Sequence, residues 1–592
     1  MNYSIHKFTK NNGKFNLQSA IRQAKDAARN GRLHEAISLY DLVLEQYPGN
    51  KTAQENVKKL REINPIPDLV PLIAQKRYRE VETILLSNIE RDQFNPNFWQ
   101  LLGSIYSDLG DKSLAIQSYH KAIDLDPSNH DLMFTVATEL LTIDDIENAF
   151  KMFKLILRLR PDFSGAHTNI GIIYEKVNRF EQAKNEWLAA IEIDPKDTVA
   201  LAHLGVNEIS NEGNFDKALD YFQQIEKLDP HDVNNCVNIA SAYFEMGKIA
   251  QAVDKYKIWE DKNWIGASEN QKNDFKLNYS LALFCLGQIE KGWENFSYRR
   301  FSSEISPSNL SEFKKPMLNK LQDANGKKVL ILMEQGIGDQ LFFLGLLDAF
   351  KKKTNASFII QTDPRLVDLL SKTFPDHEVT SEINFENYDF DYWLLCGDMG
   401  RMLDFNENST NLCAPYLKST QRLSEKDCEL FDAKKINIGI AWRSGLVNGR
   451  RLHNYTKLSD WDNFLREESF NLINLQYSDI SQDLAELDEI TRSKLKISSI
   501  DLQDDFAGIG ALINKCDLVV GPMTAPIVQA MAQGANVISY GLTATDRWNF
   551  SLGLQYEQYD SLWYKNQTTF RMRKHLKEEV VSIIKNHILK NN

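Results

Sequence analysis

The sequence lacks any apolar run near the ~20 residues needed to cross a bilayer. Its opening stretch, MNYSIHKFTKNNGKF, has no apolar h-region, so no secretion signal is expected. Cysteine is sparse: Cys236, Cys285, Cys396, Cys413, Cys428 and Cys516 stand far apart, with no C-x-x-C pair and no metal-ligand spacing. That pattern excludes a disulfide framework and reads as free thiols in a reducing compartment. Basic charge is also short. Lys and Arg number 69 against 81 Asp and Glu, a formal net charge of −12. A general nucleic-acid binder needs a basic face to replace phosphate counterions, so that class is excluded. A cytoplasmic protein with no membrane span and no nucleic-acid partner is expected. What is present is ordinary globular composition, 43% hydrophobic over 592 residues. That length exceeds one core and predicts two to four domains.

The first half is periodic. Trp99, Leu102, Gly103, Tyr106, Ala115, Tyr119, Ala122 and Pro127 set a pattern that returns every ~34 residues. Val136, Ala137, Ala149, Phe153 and Pro161 repeat it, as do Ile170, Gly171, Tyr174, Ala183, Trp187, Ala190 and Pro195. Leu204, Gly205, Ala218, Phe222 and Pro230 follow with one extra residue in the turn, then Ile239, Ala240, Tyr243, Ala252 and Tyr256. Gly31, Ala36, Tyr40 and Pro48 mark an early copy, 67–95 a divergent one, and residues from Leu277 to Arg300 a final helix pair. Small residues let two helices approach, large ones fill the gaps, and proline ends the second helix. This is the spacing of the tetratricopeptide repeat, whose stacks present a concave groove to an extended peptide or a partner helix. Asn169, Asn207 and Asn238 fall at comparable places on first helices, either as a ladder for a peptide backbone or as solvated polar residues.

From residue 327 the pattern changes. In KKVLILMEQGIGDQLFF (Lys327–Phe343) a short apolar strand meets a turn with two glycines and then a helix with Leu341, Leu344, Leu347 and Phe350 at helical spacing. Open α/β sheets start this way and place their ligands at strand carboxyl ends. Further strands are predicted at Ser357–Gln361, Val379–Ser381 and Asp391–Cys396, then at Ile436–Trp442, Leu472–Tyr477, Ile497–Ile500, Leu518–Val520 and Val537–Tyr540. Helical segments between them imply parallel sheets in two lobes. The organisation expected is repeats over 1–300, a connector over 301–326, a first lobe over 327–432 and a second over 433–592. The connector carries Phe313, Met317, Leu318 and Leu321 and is expected to pack on the lobes, and the closing helix Leu576–Leu589 to pack back on the first lobe.

EQGIGDQLFF, GIAWRSG, LINLQYSD, the segment from Asp504 to Ile538 and DRWNF occur in this order. Together they resemble the family-nine, heptosyltransferase-like glycosyltransferase domain found fused to tetratricopeptide arrays in bacteria, over about residues 277–572. The pairing of repeats with such a domain is also similar to protein O-GlcNAc transferases and flagellin-modifying transferases. The resemblance implies a repeat solenoid followed by a two-lobed GT-B domain. It also implies an inverting, metal-independent transfer from a nucleotide-sugar donor to an acceptor hydroxyl. A protein acceptor, flagellin-like in the second resemblance, would lie in the repeat groove.

Such transfer needs a base, a cleft for the sugar and positive potential for the departing diphosphate. Asp339 falls on the family's proposed base; the same residue could simply cap the following helix, whose dipole favours the carboxylate and weakens it as a base. Glu334, Gln335, Gly336 and Gly338 form the acceptor-side loop, the glycines permitting conformations closed to other residues. Arg443, at the end of a buried-type strand, and Arg450 or Arg451 in the loop after it offer forks for diphosphate, one of the latter pair being a solvated charge. Gln476 and Tyr477 end a strand on the nucleotide side. Pro522, Thr524 and Ala525 open an Ala-rich helix whose free N–H groups suit an anion. Asp546, Arg547 and Trp548 match the family's Asp-Trp-Arg-Trp turn, Trp548 either stacking on a ring or packing in the core. The family's Asp-Thr-(Ala/Gly)…His becomes Met523-Thr524-Ala525…Val528, which argues against ADP-heptose as donor. Asp504 and Asp505 have no D-x-D motif with a supporting ligand set, so neither metal nor other cofactor is expected. A repeat scaffold whose lobes no longer turn over is the alternative, and a sugar-nucleotide epimerase a third reading that gives the repeats no use.

Overall fold

The structure, a computed structural model, describes residues 16–29, 33–63, 66–91, 93–261, 264, 266–301, 314–382, 389–404, 413–445, 455–541, 558–560, 567–571 and 577–591. Two compact units divide the chain, one up to Pro195 and one from Lys196.

In the first unit helices come in pairs. Leu17–Arg29 packs on Leu33–Gln46, Pro96–Asp108 on Lys112–Leu125, His130–Thr142 on Ile146–Leu159 and Ser164–Lys176 on Phe180–Ile193. The divergent stretch forms Ile66–Ala74 and Tyr78–Arg91. Short polar side chains start these helices: Asn95 accepts from the Asn97 N–H, Asp111 from Leu114, Asn129 from Leu132 and Asp145 from Asn148. Each satisfies a backbone donor that the helix itself leaves unpaired. The small residues work as expected. A Cβ on Gly171 would lie 2.3 Å from Trp187 Nε1, so only glycine admits the indole, which donates to the Thr168 carbonyl at 3.2 Å.

The second unit opens with more helix pairs: Thr198–Asn207 with Phe215–Leu228, Val233–Glu245 with Ile249–Glu260, and Glu269–Cys285 with Ile289–Phe296. The extra residue expected in a turn is absorbed as one π-helical turn, Glu208–Glu212, which Gly213 closes at φ +68°. Glu208, buried there, pairs with Lys217 at 2.8 Å.

Two sheets follow. β1 (Lys328–Leu332), β2 (Ser357–Gln361), β3 (Glu378–Thr380) and β4 (Tyr392–Leu395) form a parallel sheet in the order β3-β2-β1-β4. The larger sheet contains β5 (Ile436–Ile440), β6 (Phe470–Asn474), β7 (Leu495–Lys496), β8 (Leu518–Pro522), β9 (Val537–Gly541), β10 (Gln558–Asp560) and β11 (Gln567–Arg571). Its order is β10-β11-β9-β8-β5-β6-β7, parallel except where β10 meets β11. β10 and β11 have no counterpart among the predicted strands. The strand expected at Ile497–Ile500 ends instead at Lys496, because Asp427 takes the N–H and the hydroxyl of Ser499 at 2.8 and 2.7 Å and draws the chain off the edge.

The closing helix, Lys577–Asn591, does not return to the first lobe. Its Val580, Val581, Ile584 and Ile588 join a core with Ile438, Leu472 and Tyr540 of the larger sheet and with Trp461 of the turn Leu458–Trp461. Lys585 fixes it there, donating to the Asn463 carbonyl at 2.8 Å and pairing with Glu467 at 3.0 Å. Of the connector, Phe313 lies outside the described residues; Leu318 is buried, its N–H donating to the Trp393 carbonyl on β4 at 2.7 Å. A single core runs through both sheets' inner layers: Val329 and Ile331 of β1, Leu341 and Leu344 of the next helix, and Ile527 and Met531 of Ala525–Gln533.

Candidate functional site

The carboxyl end of β1 turns sharply. Gln335 adopts φ +62°, a left-handed conformation that non-glycine residues seldom hold without local support. Gly336 sits at φ −81°, ψ 168°, ordinary extended backbone, and Gly338 lies inside the helix Ile337–Leu344. The conformational demand thus falls on Gln335 and not on either glycine. Asp339, in the helix's first turn, accepts from the Gly336 N–H through Oδ2 at 3.3 Å. Gln340 ties the same helix to the end of β2, accepting from Thr362 Oγ1 at 2.9 Å and the Asp363 N–H at 3.2 Å.

Across from this turn stands the helix Ala525–Gln533, which follows Pro522 at the end of β8. A Cβ on Gly338 would lie 3.6 Å from the Ala525 nitrogen. Two helix N-termini, separated by almost two hundred residues of sequence, therefore meet. Thr524 occupies the N-cap position, yet its side chain makes no capping bond, and its buried Oγ1 has no partner among the described residues. Pro526 leaves one fewer donor in the first turn. The N–H groups of Ile527 and Val528 both donate to the Thr524 carbonyl at 3.0 Å, so the Ala525 N–H and the helix dipole give this end its positive potential for an anion, while the Asp339 carboxylate offsets that of the other helix end.

The other residues singled out have their own partners. Glu334 is fully buried, and its carboxylate meets Arg299 at 2.7 Å through Oε1 and 2.9 Å through Oε2. Burial pushes that carboxyl above its ordinary range against the pull of Arg299. Arg299 also binds Asp398 Oδ1 at 2.9 Å. Burial opposes its charge, but Asp398 and Glu334 hold the guanidinium protonated. Arg443 lies against Asp483, at 2.6 and 3.4 Å, with further bonds to Ser478 Oγ and the Asp479 carbonyl. Its guanidinium thus has a carboxylate already in its fork. Gln476 is buried, its Oε1 accepting from the N–H groups of Trp442 and Arg443 at 3.1 and 3.0 Å. Tyr477 takes the Gly445 N–H on its hydroxyl at 2.7 Å. Asp504 pairs with Arg365 at 3.5 Å, and Asp505 caps the helix Phe506–Ile513. Arg450, Arg451, Asp546, Arg547 and Trp548 lie outside the described residues. Of the three asparagines, Asn169 donates to its own helix at the Gly165 carbonyl, Asn207 is buried with Asn211 as its partner, and Asn238 is half-buried.

Arg299, Asp398 and Asp483 escaped the sequence reading. The one available signal for Arg299 was a charged pair inside the aromatic run Trp293–Phe301, where a buried arginine has to find carboxylates elsewhere.

The tetratricopeptide repeat family pattern matches residues 96–129 and 164–197. The N-terminal helix pairs are tetratricopeptide repeats. Protein FlbA of Caulobacter vibrioides is 24% identical over 547 residues, covering 88% of this chain and 88% of that protein. Tetratricopeptide repeat protein 37 of Xenopus laevis is 27% identical over 30% of this chain, and human Protein O-mannosyl-transferase TMTC1 is 25% identical over 26% of it. The matched stretches are 11% and 17% of those two proteins. Among solved structures, a tetratricopeptide repeat protein from Parabacteroides merdae aligns at 17% identity and a TM-score of 0.30, covering 48% of this chain and 93% of that one.

Proposed function

We propose that the chain is a glycosyltransferase of GT-B architecture: inverting, metal-independent and cytoplasmic. It transfers a sugar from a nucleotide-sugar donor to a hydroxyl of a protein recruited by the repeats. One observation carries this reading, the meeting of the Asp339 turn with the uncapped start of Ala525–Gln533. Asp339 accepts the proton of the acceptor hydroxyl as its oxygen bonds to the anomeric carbon. The bond from that carbon to the diphosphate breaks on the opposite face, and the leaving diphosphate takes the electron pair beside the Ala525 N–H at the start of that helix. Gln335, Gly336 and Gly338 form the acceptor side; Pro522, Thr524, Ala525 and Tyr477 face the donor. Gln476 and Arg443 hold the end of β5 to the segment after β6. Arg451, Asp546 and Trp548 remain donor-side candidates from sequence. TMTC1, a protein O-mannosyl-transferase by name with a matching stretch over 17% of its length, agrees with a transferase joined to repeats.

The test is transfer of labelled sugar from UDP-, GDP-, ADP- and CMP-sugars to proteins of a cell extract. Wild type labels a protein band and Asp339→Ala lowers the rate by 10²-fold or more, the usual scale of general-base loss, about 10²–10⁴. Equal labelling by both proteins defeats the base assignment.

A second reading has one specific observation behind it. The Arg443 fork is occupied by Asp483, which leaves less free positive charge for a diphosphate. In that reading the lobes are a catalytically degenerate, nucleotide-binding module on a repeat scaffold. Donor hydrolysis without acceptor, followed by nucleotide release, excludes it; calorimetric binding of nucleoside diphosphates with no hydrolysis and no transfer favours it.

A further inference from the structure

One side chain that holds the strained turn in place comes from outside the α/β lobes. Arg299 lies on the 3-10 turn Ser297–Phe301, just after the last repeat-like helix Ile289–Phe296. Its guanidinium grips Glu334 from the segment after β1 and Asp398 from the segment after β4. Glu334 is the residue immediately before Gln335. The fit is close: a Cβ on Gly397 would come within 2.7 Å of Glu334 Oε1 and 2.9 Å of Arg299 Nη2. The Gly397 N–H instead donates to Glu334 Oε1 at 2.9 Å. Nearby, Gly400 leaves room for the Trp293 ring, whose Cζ2 a Cβ there would meet at 2.3 Å. The helix end, the turn and the segment after β4 are thus locked as one piece, with side chains fully removed from water.

We infer that Arg299 is a positioning residue for the Asp339 turn, through which the last helix pair of the repeat region sets the geometry of the catalytic edge. The bidentate contact fixes Glu334, Glu334 fixes the left-handed Gln335, and Gln335 sets where the helix bearing Asp339 begins. A planar guanidinium bound at both carboxylates resists rotation in a way that an ammonium does not. Movement of Ile289–Phe296 on engagement of a partner would reach the turn through this side chain, alongside the apolar packing of Trp293 and Phe296 against Met333 and Met399. The kinetic part of the inference rests on the transferase reading above; the structural part does not.

The test compares hydrogen exchange across Met333–Leu341 in the full-length wild type, in Arg299→Lys, and in the triple variant Arg299→Met, Glu334→Met, Asp398→Leu. The triple variant leaves none of the three charges buried without a partner, so it folds where a single removal is severe. In both variants the turn exchanges at least about tenfold faster while β5 and β6 keep wild-type protection, the scale expected on losing charge-assisted hydrogen bonds. Label transfer falls through kcat with the donor KM unchanged, and Arg299→Lys, which keeps the charge, retains more activity than the triple variant. Unchanged exchange at the turn, or loss spread evenly over both sheets, overturns the inference. Asp339→Asn keeps the two readings apart. If that variant transfers sugar as wild type does, the base assignment fails, and the exchange data still decide the role of Arg299.

Discussion

The repeat helices and the α/β region solve one problem, joining elements firmly, in opposite ways. In the repeats each joint is local and small. A capping Asn or Asp, a glycine under an aromatic ring and a half-buried ion pair such as Lys154–Glu186 at 3.0 Å recur from pair to pair. In the α/β region the joints are long in sequence and concentrated: one fully buried arginine bridges residues 35 and 99 positions away. Damage to the first kind should stay within one helix pair, and damage to the second should reach every element the arginine joins.

The sharpest way to break that contrast is Arg299→Ala. It strands two carboxylates in the interior, and removing one partner of a buried ionic cluster costs about 3–5 kcal/mol. Urea unfolding followed by hydrogen exchange in β1 and β4, the strands whose ends Arg299 joins, should show the loss there. A shift under about 1 kcal/mol would show that the cluster is not the joint described. Gly171→Ala is the counterpart in the repeats. The added methyl overlaps the Trp187 indole, and overpacking of this kind costs roughly 1–3 kcal/mol. Proteolysis should become faster within the first unit only; equal sensitisation of both units would erase the contrast.

The smallest effect is a pH slope in the first sheet. His377 packs against Phe358 and Phe374, and burial, then the charge of Lys351, hold its imidazole below the ordinary value of 6.5. The folded state therefore resists protonation that the unfolded state accepts. This contribution is complete above 6.5 and is lost progressively as pH falls from there toward the folded value, below which the slope vanishes. The melting temperature should decline between pH 7 and 5.5, and His377→Phe should flatten that decline. An identical slope in the variant would assign the titration to another group.

The sequence carried the fold where physics is periodic. The repeat helices follow from Gly, Ala and aromatic residues at fixed offsets, and even 67–95, without the full pattern, keeps its two helices. The parallel strands follow from short apolar runs. Pairing choices were less visible. β10, at the sheet's edge, and β11 beside it lack such runs, and the closing helix has an apolar stripe that would fit either lobe, so only the tertiary core decides between them. The site was half legible. The Asp339 and Thr524 turns each announce themselves as helix starts, but their meeting depends on how helices pack between the sheets. The partners of Glu334 and Arg443 lie 35 and 40 residues off, at no fixed offset, and nothing local points to them.

The apolar layer shared by Ile337–Leu344 and Ala525–Gln533 has a mechanical consequence. Two lobes joined only by a hinge can swing apart at little expense. Here, drawing them apart at this seam would wet Leu341, Phe343, Ile527 and Met531, at about 25 cal/mol for every Å² exposed. Sliding of one helix along the other keeps those side chains dry. The low-energy motion at the seam is therefore shear, a shift in register between the Asp339 and Thr524 ends, and not a gape.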